Sequence, residues 1–311
     1  MNNFIFSYYP RNPSILRLID EFTSKHQDVF NTVKKDWLPT MRDFIREETG
    51  LKHSQKIKGK KIEKDTSVTF DFKLDRDDSF LKALDERFPN LDYNEYSKNK
   101  RLYHELLLVK NIYVGRKHQM EENYNFLINF LQDYLKDNYL EEFLKNKFKE
   151  NASSMDVWGT YFGKDKRIEI YYLPLMLFSM VNDTPIEFAI VSTLVHEVAH
   201  HYHYCAMDKD GNTWEQFFKV DRAITESLAE YYTDLFVSDF SSQFPMLKKV
   251  NDKMFTLLPE DYTRFKEWEG KYKKESIKAA LISSRTIELK NYEAFVSQLE
   301  EINILMSKGE K

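Results

Sequence analysis

Apolar residues recur along this chain at two different spacings, and the switches between them predict where helices give way to strands. After Asn12, with Pro13 suited to a first helical position, Ile15, Leu16, Ile19 and Phe22 follow amphipathic-helix spacing. A second helical pattern runs through Val29, Phe30, Val33, Trp37, Met41, Phe44 and Ile45, with a kink expected at Pro39 and a stop at Gly50. Residues 51–65 carry lysine at 52, 56, 58, 60, 61 and 64. Such a stretch suits a solvated loop or an exposed edge strand guarded by lysine, or contact with an anionic partner. Val68, Phe70, Phe72 and Leu74 then alternate with polar residues, the signature of a half-buried strand.

Helical spacing returns beyond Ser79. It predicts a long helix over about 117–149, with Leu127, Phe130, Leu131, Tyr134 and Leu135 as a core-facing stripe resumed by Leu140, Phe143, Leu144 and Phe148. Residues 155–173 read as two strands around the turn Gly163-Lys164-Asp165-Lys166. Thr184, Pro185 and Glu187 then form a capping signal that opens an apolar helix through Ile186, Ala189, Ile190, Leu194, Val195 and Val198. A loop over 208–212 precedes a further helix over about 222–239. Residues 243–311 keep helical periodicity around Ile277, Ala280, Leu281, Phe295, Leu299 and Ile302. The pattern predicts a mainly helical α+β protein in three stretches. Residues 1–150 form a mostly helical region with a short strand near 67–75, residues 151–242 a core with a small mixed or antiparallel sheet, and residues 243–311 a helical region.

Composition narrows the class. The net charge of −4 gives no global basic field, which argues against nucleic-acid binding. No run approaches the roughly 18 consecutive apolar residues of a spanning helix, and the N-terminus lacks a basic start followed by a long apolar run. A cytoplasmic protein with no membrane partner is expected. The single cysteine, Cys205, agrees with a reducing compartment and leaves metal chemistry to histidine and carboxylates. As a lone thiol it is expected to be a small buried side chain.

Four of the eight histidines and that cysteine fall in "VSTLVHEVAHHYHYC", at the end of the apolar helix. His196 and His200, four apart, project from one helical face and can converge on one metal ion. Glu197 between them is placed to take a proton from water, which a zinc ion acidifies to a pKa of about 7. Two histidines leave a catalytic zinc one protein ligand short. The histidine-extended form of the motif needs Gly at 203 and His at 206, where this chain has His203 and Ala206. The better candidate is Glu226 in "TESLAEYY", on the next helix, with small Ala229 letting the two helices approach. Glu230, four further on, could accept the free ring N–H of a ligand histidine, and Asp234 continues that face as the backup. A donor for a developing oxyanion could be Tyr231, Tyr232, His201 or His203, and nothing in the sequence selects among them.

"HEVAH" followed by "ESLAEYY" resembles zincin metallopeptidases of the gluzincin type, over residues 155–240. The resemblance implies a zincin-like catalytic core with its active-site helix and one zinc ion per chain on His196, His200 and Glu226. It also implies Glu197 as general base and Glu230 as a supporting acid where many relatives have aspartate. The strand Arg167–Tyr172 would be the edge strand that pairs with an extended substrate. The GAMEN motif of aminopeptidases is absent, so trimming of free N-termini has no support. A peptide or protein substrate is expected. A substrate-specific regulatory or defence protease and a non-catalytic zinc scaffold are the alternatives, and oligomeric state is not legible.

Overall fold

The computed structural model describes residues 8–57, 60–63, 67–113, 118–137, 140–150, 157–287, 289 and 291–309. Helix α1 (Pro13–Lys25) starts as expected: Asn12 Oδ1 accepts from the Ser14 backbone N–H at 2.9 Å, and Pro13 follows. The next helical run is α2 (Gln27–Thr32), a π-helical turn (Val33–Trp37) and α3 (Leu38–Thr49), ended by Gly50 at φ 70. The expected irregularity therefore precedes Pro39. A proline has no N–H for the carbonyl four residues earlier, and the helix widens in the turn where that bond is missing.

Strands β1 (Ser54–Ile57) and β2 (Lys60–Glu63) form an antiparallel hairpin from the lysine-rich stretch, whose Lys58 and Lys64 lie outside the described residues. Strand β3 (Thr69–Lys73) alternates as expected, Phe70 buried and its neighbours exposed. Helices α4 (Ser79–Arg87) and α5 (Tyr93–Tyr113) lead to α6 (His118–Asp137) and α7 (Leu140–Glu150), two helices where one was expected. The predicted stripe also divides. Leu131, Leu140, Phe143 and Leu144 are buried, whereas Leu127 and Phe130 are exposed at 37% and 59%, because α6 packs chiefly on α5 and turns those residues outward. The side chain of Phe148 lies outside those described.

The hairpin β4 (Gly159–Phe162) and β5 (Arg167–Tyr171) forms as expected over its described part; Met155 and Asp156 lie outside the described residues. Its place in the sheet is different from the expected one. The order is β3-β5-β4, with β5 parallel to β3 (Phe70 opposite Ile168, Phe72 opposite Ile170) and antiparallel to β4. Strand β5 is central, and the edge beside the helices is β4. The reason is β3, nearly a hundred residues upstream in a stretch read as a separate region, which covers the side of β5 that would otherwise be open.

Helix α8 (Tyr172–Asn182) leads to α9 (Ile186–Cys205), which is buried along nearly its whole length. Its cap differs from the sequence signal. Pro185 sits in extended backbone at ψ 126 and is itself the cap, no side chain caps the first turn, and the Thr184 hydroxyl has no hydrogen-bond partner among the described residues. Helix α10 (Arg222–Phe240), capped by Asp221, lies across α9, with Ala229 fully buried. Helices α11 (Pro245–Phe255), α12 (Glu260–Thr263), α13 (Lys274–Ser284) and α14 (Tyr292–Gly309) complete the chain. The C-terminal apolar positions behave as expected, with Ile277, Ala280, Leu281, Phe295 and Leu299 buried and Ile302 packed against them. Side chains from all three stretches share one hydrophobic core, with α3, α8, α10, α11 and the sheet around α9. Among the described residues no helix is long and apolar enough to cross a membrane.

Candidate metal centre

Helix α9 is enclosed by other elements, so every histidine of its last three turns is buried: His196 and His200 at 6% exposure, His201 and His203 at 0%. What separates them is the direction each faces. His196 and His200 point at α10, where their Nε2 atoms are 3.0 Å apart and lie 3.1 and 3.0 Å from Glu226 Oε2. Donor atoms on a tetrahedral zinc, with bonds of about 2.0–2.1 Å, stand ~3.3 Å from one another. The observed triangle is close to that size, and its atoms are two imidazole nitrogens and a carboxylate oxygen, a set suited to zinc. The three residues fit a metal ion.

The surroundings orient this set. His196 Nδ1–H donates to Glu230 Oε2 at 2.9 Å, which turns Nε2 toward Glu226 and His200. Burial alone would lower the His196 pKa, but hydrogen bonds to Glu226 and Glu230, with the Glu230 charge, raise it well above the ordinary imidazole value. Burial pushes the Glu226 carboxyl up, and the adjacent His200 and His196 override that and hold it well below the usual range. The other oxygen of Glu226 faces Arg222 Nε at 3.3 Å. His200 Nδ1 has no hydrogen-bond partner among the described residues.

Two cavities flank the triangle, and Glu197 and Arg222 line both. The first lies on the His196 side, between Trp158 and Gly159 at the start of β4, Ser192 and Thr193 on α9, and Asn251, Met254 and Leu258. The second, on the His200 side, is walled by Tyr161, Phe217, Phe218 and Val220. Glu197, at 2% exposure, is thus the carboxylate between the two spaces and next to the ligand set.

The other residues singled out in the sequence do not join the site. Asp234 pairs with Lys266 at 3.4 Å, one turn too far along α10 to reach a ligand histidine. Tyr231 packs on Phe265 and Trp268, and Tyr232 packs edge-on to His203 at 5.4 Å between ring centres. His203 is fully buried with neither ring nitrogen hydrogen-bonded to a described residue. His201 turns the opposite way, its Nδ1 3.2 Å from the Tyr161 hydroxyl, which also lies 3.2 Å from Cys205 Sγ in a buried position.

Two residues that sequence reasoning missed take the place of those tyrosines. Tyr262 of α12 stacks on the His196 ring at 5.4 Å, and Arg222 Nη2 donates to its hydroxyl at 2.8 Å. Arg222 had a local signal, four residues before Glu226; Tyr262 had none, because only the return of α12 onto α10 brings it there. No family model, curated protein or solved structure matches the chain.

Proposed function

We propose that the chain is a zinc-dependent metallopeptidase, with one zinc ion held by His196, His200 and Glu226. The observation that carries this reading is the convergence of three buried ligand atoms beside a carboxylate that faces two cavities and an edge strand. Bound there, zinc supplies Lewis acidity that polarises a carbonyl and acidifies water. Glu197 takes a proton on its carboxylate from the attacking water and delivers it to the leaving amine. Glu230 keeps the His196 proton on Nδ1 throughout. Tyr262, whose hydroxyl is oriented by Arg222, donates to the oxygen that becomes negative as the carbonyl is attacked. Among the described residues β4 pairs on one side only, and its other side offers backbone groups to an extended peptide.

A purely structural zinc site is closed around its ion by four protein ligands. Among the described residues this group has three, with cavities on both sides, and that favours catalysis over a scaffold. Zinc-loaded wild type is expected to cleave blocked peptides, and Glu197→Gln to keep its zinc and lose at least about 10²-fold in rate. A zinc-loaded Glu197→Gln variant cleaving at the parental rate rules out the assigned base.

A further inference from the structure

We infer that the cavity beside His196 is a specificity pocket for an unbranched neutral side chain ending in an amide, of glutamine size, on one side of the scissile bond. The inference rests on the peptidase reading and names its substrate class. The cavity's volume is about 60 Å³. A single water needs roughly 10–15 Å³ on such a measure, and an engineered cavity that takes benzene holds ~150 Å³. A chain of a few heavy atoms fits; a phenyl or indole ring does not.

The walls are Val157, Met254, Leu257 and Leu258, which suit a methylene stem. A polar pair also lines the space. Ser192 Oγ donates to Asn251 Oδ1 at 2.5 Å, between α9 and α11, and both residues are nearly inaccessible, at 4% and 2%. That bond occupies the amide oxygen. Among the described residues it is the one hydrogen bond of the Asn251 side chain, so its N–H donors are left for the cavity. An incoming carbonyl oxygen can accept from those N–H groups where Asn251 lines the space. A glutamine side chain brings that oxygen at the end of two methylenes. A purely apolar side chain fills the stem and leaves the donor unmet, and a carboxylate is desolvated among the apolar walls and meets Glu197 and Glu230, which outnumber Arg222 there.

The test is cleavage of a pool of blocked decapeptides by the zinc-loaded full chain, with cut sites mapped by mass spectrometry. Glutamine is expected at one position flanking the cut, methionine next, and Phe, Trp, Asp and Glu depleted there. Asn251→Leu, at unchanged zinc content, is expected to shift the glutamine-to-methionine ratio about tenfold toward methionine, and Met254→Trp to abolish the preference by filling the space. Aromatic or charged residues at both flanking positions, or a preference unmoved in both variants, overturns the assignment. If the wild type cleaves no peptide, the peptidase reading fails by itself, and the pocket is judged by titrating N-acetyl-glutamine N-methylamide while following the Asn251 side-chain amide by NMR. A shift that Met254→Trp removes supports the pocket, and no shift overturns it.

Discussion

At the scale of single residues, the metal centre depends on where lone pairs and protons sit. Glu230 accepts from His196 Nδ1 and so fixes which nitrogen faces His200 and Glu226. Removing such a partner costs metal ligation about 10–100-fold. Glu230→Gln is therefore expected to weaken zinc by that factor in a chelator competition, while Asp234→Asn leaves it unchanged because Asp234 faces Lys266. Tyr262→Phe removes the hydroxyl proposed as the oxyanion donor and is expected to lower kcat by about 10²–10³-fold with KM little changed. Steady-state kinetics at matched zinc content checks it. Residues whose positions follow from one helical repeat were legible in the sequence: His196 with His200, and Glu226 with Glu230. Tyr262 was not, since its approach to His196 depends on how α12 returns across α10, and adjacent Tyr231 and Tyr232 were false leads because the side of α10 they occupy packs into the core.

At the scale of elements, the cleft depends on β4 lying close against α9. Gly159 permits that approach: a Cβ there would sit 2.8 Å from Thr193 Cγ2 and 3.2 Å from the Glu169 carbonyl oxygen. Gly159→Ala is expected to push β4 off the helix and cost about 1–3 kcal/mol, read in denaturant unfolding, with peptide cleavage falling as the edge shifts. An unchanged midpoint would show that the strand is not held there. Period-2 alternation marked β3, and turn chemistry marked the β4–β5 hairpin, but neither carries information about which strand is the edge. That is decided by the pairing of β3 with β5 across about a hundred residues. Similarly, periodicity found the apolar stripe of α6 and could not tell that Phe130 would face out.

For the molecule as a whole, buried histidines set the response to pH. Burial, with His200, Arg285 and His196 around it, pushes His203 well below the ordinary imidazole value, and burial with Arg42 and Arg46 takes His53 down to about 4. In the unfolded chain both groups take up protons as pH falls through about 6.5. The unfolded state then binds more protons, so the metal-free protein is expected to lose stability as pH falls from about 6.5 to about 4. His196 does not offset this: its folded pKa is raised, so in that window it is protonated in both states, and its contribution is lost instead as pH rises above 6.5. His203→Leu is expected to flatten the loss between pH 7 and pH 5, as measured by denaturant unfolding. A ligand that binds only the folded state at a thousand times its Kd adds about 4 kcal/mol, so zinc is expected to raise Tm and chelation to reverse it. The measurement closest to the central claim is zinc content per chain after exhaustive dialysis, for the wild type and for Glu226→Ala side by side. The account predicts close to one ion per chain in the wild type and almost none in the variant; equal zinc in both, or none in the wild type after zinc loading, contradicts it.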